Sequence, residues 1–412
     1  PTLEGPHNKR TSVPTAAAKW APSAVVVALI AAGIVAVPLQ ANAVNLPEKS
    51  AEDIIALMAL EPVAFSGTIV KTTDLGLPEL EMSSLMSDEM IAQMEETMPE
   101  GFEDFIPQLI DDNAITEAIS FVAGTDRVRL FASEEGLRAQ ILDPLSQRDI
   151  IINATEAWAY NARTQVATQV TFDQPLERQS FDDAASFLEV DLSNPNALAE
   201  LVLEQAGPNS TVSVGEPRLV AGRASYTLVV EPGEAASLVD SVTLSIDAQT
   251  GLGLGVRVFS TEQPEAALVV EFESLSLSTP SASLFSFSPP PGTAIEQPEL
   301  PADFDASLRE LASDELTDGE REVLARELAA SFGLDVQPRQ IGAGWLSVIA
   351  LDSLPEIFPL EMLSSELLGD LTIAGAGGTV FSTPLMNVLI TDSGEVYAGA
   401  LTIQALLDIA AG

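Results

Sequence analysis

The stretch Arg148–Phe172, RDIIINATEAWAYNARTQVATQVTF, sets how the rest of the chain is read. Ile150, Ile151 and Ile152 form a short apolar run, Asn153-Ala-Thr-Glu156 is a polar turn, and a long alternation follows. Trp158, Tyr160, Val166, Val170 and Phe172 stand at even positions, whereas Asn161, Arg163, Gln165 and Gln169 stand at odd ones. Successive side chains on a strand point to opposite faces, so the pattern predicts a ribbon with one apolar and one polar side. An apolar side carrying Trp158 and Tyr160 meets either a core or a greasy ligand.

The sequence on both sides of this ribbon predicts more of the same architecture. Arg127–Phe131 and Leu137–Leu142 read as strands joined by Ser133-Glu-Glu-Gly136, and Asp143-Pro-Leu-Ser146 turns into the ribbon. Phe65–Thr72 is a strand before them. Thr211–Val214, Ala224–Val230, Val242–Asp247, Gly253–Phe259 and Ala267–Leu277 are strands after them, with Asp247–Gly251 as a hairpin turn. Consecutive hairpins predict an antiparallel sheet. Helices are expected where Ser50 caps Ala51-Glu-Asp53 and where Ser193-Asn-Pro195 precedes Asn196–Gln205. Phe285, Phe287 and Pro289–Pro291 close this block, because proline cannot extend a ladder. A proline-rich linker at 296–303 then leads to a charged helical stretch, 304–332. Strands at Trp345–Leu351, Asp370–Ala374, Thr379–Phe381, Met386–Thr391 and Val396–Ala400, a helix near Glu361–Leu368 and a last helix from Thr402 complete a small C-terminal α+β domain, 304–412.

Composition removes whole classes of function. Sixty-one acidic against 18 basic residues give a net charge of −43, which disfavours non-specific binding to nucleic-acid phosphate or to anionic lipid headgroups. With no cysteine, disulfides, thiolate metal sites and a cysteine nucleophile are excluded. The single histidine, His7, lies in the leader, which removes a Ser-His-Asp triad and a histidine-ligated zinc from the folded part. No catalytic residue, metal ligand or cofactor is predicted. Adjacent acids such as Asp111-Asp112 and Asp182-Asp183 read as solvated surface rather than a carboxylate couple.

Lys9, Arg10 and Lys19 precede the apolar run Ala24–Val37, followed by Ala41-Asn42-Ala43. This is the order of a secretory signal cut after Ala43. An uncleaved anchor from Trp20 to Leu39 is the alternative, since a span needs ~20 residues. Either way, residues beyond 44 are expected outside the cytoplasm. An acidic insertion at 76–117 carries Met82, Met86, Met90, Met94 and Met98 at intervals of four, which predicts a methionine-lined helix. It is either a plain packing helix or a mobile ligand lid, because methionine adapts to varied apolar partners.

The assembled order resembles a known family. FSGTIV (65–70), TDLGLPEL (73–80), LDPLSQRDIIINATEAWAY (142–160), YTLVVEP (226–232), VTLSIDAQTGLGLGVRVF (242–259) and FSFSPPPGT (285–293) together resemble the actinobacterial branch of the LolA-like lipoprotein carriers. That superfamily is shared with sigma-factor regulators of the RseB type. The resemblance covers roughly 46–295, with GAGWLSV (342–348) and NVLITDSGEVYAGAL (387–401) beyond it. No single motif is specific; the strand order, the W-x-Y and the F-x-F-x-P-P-P-G ending carry it. The Met-rich insertion and the charged stretch 304–332 depart from the simple carrier. The resemblance implies an α+β fold, an open antiparallel half-barrel covered by helices, spanning 44–295. It implies acyl chains as ligands.

The function expected is non-enzymatic binding of acyl chains, of a lipid or lipoprotein, outside the cytoplasm. Candidate lining residues are Phe65, Ile69, Leu130, Ile150, Ile152, Trp158, Tyr160, Val170 and Phe172; the competing role for each is ordinary core packing. The alternative is an RseB-like envelope sensor that regulates a membrane-protein partner through residues 304–412.

Overall fold

A computed structural model describes residues 44–58, 63–75, 124–143, 146–172, 175, 195–206, 209–297, 307, 310, 323–324, 339–352, 372–375 and 377–411. The expected leader, the methionine ladder and the helix near 361–368 lie outside these residues, as does most of 304–332. Among the described residues no helix is long and apolar enough to cross a membrane.

The expected meander is present. Strands β1 (Phe65–Thr73), β2 (Gly124–Ser133), β3 (Gly136–Asp143), β4 (Ser146–Asn153), β5 (Glu156–Asn161) and β6 (Val166–Thr171) pair antiparallel in chain order. The second run is β7 (Thr211–Val214), β8 (Arg218–Val220), β9 (Arg223–Glu231), β10 (Val239–Asp247), β11 (Gly253–Ser260) and β12 (Gln263–Ser276). The two runs join where β1 lies against β12, so one sheet reads β13-β6-β5-β4-β3-β2-β1-β12-β11-β10-β9-β7, with β8 also paired to β9. It is an open, mostly antiparallel sheet, not closed into a barrel. Its one parallel pairing among the described strands is β13 (Ala294–Glu296) against β6.

Sequence chemistry fixes the joints. At the first helix, α1 (Ala51–Met58), the Ser50 hydroxyl accepts from the Asp53 amide and the Asp53 carboxylate accepts from the Ser50 amide, a reciprocal cap. At the β10–β11 hairpin, Gly251 takes a φ of +76° and Asp247 accepts from the Thr250 amide. At the β1–β12 joint, a Cβ on Gly67 would stand 2.6 Å from the Phe272 ring and 2.7 Å from the Ser274 carbonyl. Only glycine lets Phe272 lie there, edge-on to Phe65 with ring centroids 5.6 Å apart.

The two faces differ. One, here the core face, holds a single apolar cluster that runs from Phe65, Ile69, Leu130 and Ile152 to Leu228, Leu244, Val256 and Phe272, with Ile54 and Leu198 from the helices. Helix α2 (Pro195–Gln205) packs over β11 and β12, and α1 lies at β7 and β9. The opposite face is crossed by the chain after β12, and is called the strap face. Over β9–β12 the strap face is small and polar, with Ser225, Thr227, Ser245 and Gly255 buried. This lets β8 fold across to β12, where Arg218 and Arg257 both hold Glu271.

A second sheet has the order β14-β15-β19-β18-β17-β16: β14 (Arg339–Ile341), β15 (Val348–Leu351), β16 (Thr372–Gly375), β17 (Gly378–Ser382), β18 (Asn387–Thr391) and β19 (Val396–Gly399). Helix α3 (Ile403–Ala411) covers one face with Leu406, over Val348, Val380, Leu389 and Tyr397. Two expectations change here. Trp345 belongs to a short 3₁₀ turn, Gly344–Leu346, rather than to a strand, because its indole N–H turns away to donate to Ser210 at 2.7 Å. The sheet is also stitched to the first: Leu238 N–H donates to Ala400, Thr402 N–H to Ala236, and the Ser260 hydroxyl to the Pro384 carbonyl. Trp345, Leu385 and Ala400 pack on the large sheet's own apolar cluster, and Leu46–Gly412 forms one compact unit.

Candidate ligand-binding face

Register shows which predicted residues share a surface, since residues directly opposite on paired strands point the same way. Across β1 to β6 the first row of the core face is Phe65, Ala132, Leu137, Ile152, Ala157 and Val170. The second is Gly67, Leu130, Ala139, Ile150, Ala159 and Thr168. The third is Ile69, Val128, Ile141, Arg148, Asn161 and Val166. Phe172 packs on the same cluster, at the end of β6. Seven of the nine predicted lining residues therefore stand together on one face: Phe65, Ile69, Leu130, Ile150, Ile152, Val170 and Phe172.

Trp158 and Tyr160 do not. Trp158 pairs with Ile151 and Gln169, and Tyr160 with Asp149 and Ala167, so both lie on the strap face. The single-ribbon expectation fails because the stretch is three strands. The β5–β6 loop holds residues 162–165, and Asn161 pairs with Val166, so an even position on β5 faces an odd position on β6. A one-residue change of register moves a whole side-chain set to the other face. The signal was in the sequence: the Asn161 side chain accepts from the Arg163 amide at 2.9 Å, an Asx turn, and Gln165 closes the loop with a φ of +56°.

What Trp158 and Tyr160 meet is the strap. The Phe287 ring lies 5.3 Å from each of their ring centroids. Behind it Phe285 is 1% exposed, its Cβ 3.2 Å from where a Cβ on Gly136 would be. Two side chains hold the strap backbone: Arg138 donates to the Leu284 carbonyl and Asn153 to the Phe285 carbonyl. Arg138 is aimed by Asp149, 3% exposed, which also accepts from Gln140 and Gln147. The W-x-Y and the F-x-F-x-P-P-P-G segments are thus two halves of one packing contact, 127 to 129 residues apart in the chain by subtraction of their numbers.

Burial on the core face is graded. Phe65, Leu130, Ala139 and Ile152 on β1–β4 are buried, whereas Ala157, Thr168 and Val170 toward the β6 edge are half-buried and Ala159 is exposed. The described helices cover the β7–β12 half. Beyond the third row stand Lys71 and Asp126, opposite each other, with Nζ 2.8 Å from the carboxylate. Among the described residues no group of three or more His, Cys, Asp or Glu is placed to hold a metal ion.

Glu271 on the strap face is held by two arginines, Arg218 and Arg257. Burial pushes its carboxyl up, but hydrogen bonds and charge from Arg257 and Arg218 overcome that and hold it below the usual range. Asp247 behaves alike: burial raises it, and Arg223 with Thr250 brings it below its ordinary value. Both are structural pairs within the sheet, remote from the apolar rows.

No family model and no curated protein matches the chain. Solved structures do. A Pseudomonas aeruginosa MucA/MucB complex is similar at 12% identity over 87% of this chain and 95% of that one, with a TM-score of 0.38. An uncharacterized conserved protein from Thermus thermophilus is similar at 9% identity over 60% and 99%, with a TM-score of 0.30. A LolA superfamily protein from Nitrosomonas europaea is similar at 8% identity over 58% and 99%, with a TM-score of 0.21. The strand order and the site described above stand on this chain's own register.

Proposed function

We propose that the chain is a non-enzymatic binding protein for acyl chains, which lie on the core face of β1–β6 and enter over the β5–β6 side. The observation that carries this is the three rows across six strands. They are apolar or small except for Thr168, Arg148 and Asn161, and their burial fades toward β6. Burial that fades toward β6 is what a cleft with its mouth on that side would show. Ala157 and Ala159 on β5 leave room beside Ile150 and Ile152 for a methylene chain. Each buried CH₂ stabilises such a complex by roughly 0.8 kcal/mol. The ligand class is also the one that the family resemblance of 65–293 implies, with a lipid or a lipoprotein as its source.

The test is to purify the chain without detergent, extract it with organic solvent and identify bound lipid by mass spectrometry. Stoichiometric acyl lipid, lost on Ala159→Trp at the mouth, is the expected result. No acyl lipid, together with no uptake of added fatty acid, overturns the reading.

A second reading, an envelope sensor acting on a membrane protein, has one observation in its favour. Ile349 on β15 is 45% exposed on the sheet face away from α3, beside Val388 and Ala398 in register. Co-purification with a detergent-extracted membrane protein that Ile349→Asp abolishes would support it; co-purification unchanged by that substitution counts against it. Deleting 304–412 is no clean test, because Trp345, Leu385 and Ala400 complete the first sheet's core.

A further inference from the structure

The core face of β1–β6 is apolar only for part of its length. Along β1, Phe65, Gly67 and Ile69 are followed at the same alternation by Lys71, and Lys71 is 5% exposed. Its partner Asp126 continues the alternation of Leu130 and Val128 on β2. Arg148 continues that of Ile152 and Ile150 on β4. Among the described side chains, every charge on this face therefore stands at one end, in the third row and the one beyond it. The opposite end, from Phe65 to Val170, has none.

Such an arrangement is poorly explained by stability. A buried ion pair gives little or nothing over well-packed apolar residues of the same volume, since desolvation offsets the attraction. Here the lysine is the deeper partner, 6% exposed against 24% for the aspartate. Lys and Arg side chains donate hydrogen bonds and accept none. A buried lysine and a half-buried arginine on one end of the face suit an acceptor oxygen carrying negative charge, which would exchange with the partners they already hold.

We propose that this rim receives the anionic head, a carboxylate or phosphate, of an amphiphile whose acyl tail lies along the apolar rows. The ligand is thus held in one direction, head at Lys71 and Arg148 and tail toward Phe65 and Val170. Asp126 pairs with Lys71 in the empty state and competes with the head for the same ammonium. This rests on the acyl-binding reading above and adds to it the orientation and the head chemistry.

The experiment uses the whole chain with cis-parinaric acid, an eighteen-carbon polyene carboxylate, and with its methyl ester, followed by the rise in probe fluorescence. The wild type is expected to bind the acid about tenfold more tightly than the ester, the worth of one charge-assisted hydrogen bond. Lys71→Met removes most of that preference, and Asp126→Asn strengthens acid binding. Binding of neither probe overturns the acyl-binding reading itself. Binding of both, with an acid-to-ester ratio that neither Lys71→Met nor Asp126→Asn alters, overturns the orientation alone. If Lys71→Met fails to fold by circular dichroism, the Asp126→Asn ratio decides, because that variant keeps the lysine.

Discussion

Replacing Phe287 by alanine should detach the strap from β5. Phe287 is half-buried and lies 5.3 Å from both Trp158 and Tyr160. Truncating a fully buried Phe costs about 3–5 kcal/mol, so about half of that applies to a half-buried ring. Each aromatic pair adds about 0.5–1.5 kcal/mol beyond its area. Together these place the loss at about 2.5–5.5 kcal/mol, far above the roughly 0.5 kcal/mol of an ordinary surface change. Urea unfolding followed by tryptophan emission reads it directly, in a Trp345→Phe background lacking residues 1–43, where Trp158 is the remaining indole. The urea midpoint should fall, and native emission should shift to the red, because Trp158 is now 6% exposed and loses its cover. A midpoint within error of the parent and an unshifted emission would refute the idea that the strap is held by this contact. Phe285→Ala is the control at the same strap, expected to cost more because that ring is 1% exposed.

Three further outcomes follow from other parts of the sheet. Gly67→Ala should lower thermal stability by about 1–3 kcal/mol, because the new Cβ meets both the Phe272 ring and a backbone carbonyl that cannot move aside; differential scanning calorimetry checks it. Glu271 and Asp247 have folded values depressed below 4.5 and 3.8, so their contribution is complete above those values and is lost as pH falls through the lower folded ones. Urea midpoints measured from pH 7 to pH 2 should therefore drop at the acid end, and the drop should be shallower in Glu271→Gln; equal slopes would refute the pairing. Ending the chain at Gln297 should destabilise the large sheet as well as remove the small one, because Trp345, Leu385 and Ala400 leave its core. Hydrogen exchange in β9 and β10 faster than in the full chain is the expected readout.

Period-two patterns made the strands legible one by one, and turn residues made the hairpins at 133–136 and 247–251 legible too. Helix α1 was readable from its N-cap serine, Ser50, and the acids that follow it, a purely local device. Which face each strand presents was not readable across the Asn161–Val166 hairpin, because facing depends on loop length and pairing, which single-strand alternation does not contain. Hence alternation alone brings Phe65, Ile69, Leu130, Ile150, Ile152, Val170 and Phe172 to one face, whereas Trp158 and Tyr160 stand on the other. The role of Lys71 is illegible in the sequence for a related reason. Its significance lies in standing directly across from Asp126, 55 positions on by subtraction of their numbers. The seam between the two sheets was invisible as well, being made largely of backbone hydrogen bonds that any residue can supply.

The β13–β6 pairing sets an order of events. Gln297 donates to Gln169 across 128 residues of chain, and the amide of Ala294 donates to Gln165. Until residue 296 exists, β6 is an uncapped strand edge beside an apolar face, so during synthesis the growing chain carries a template for pairing with other chains. Completion of the strap is therefore also the step that retires this edge. Slow translation or a stop between 172 and 293 should yield aggregates nucleated at Val166–Thr171 rather than a smaller soluble fragment.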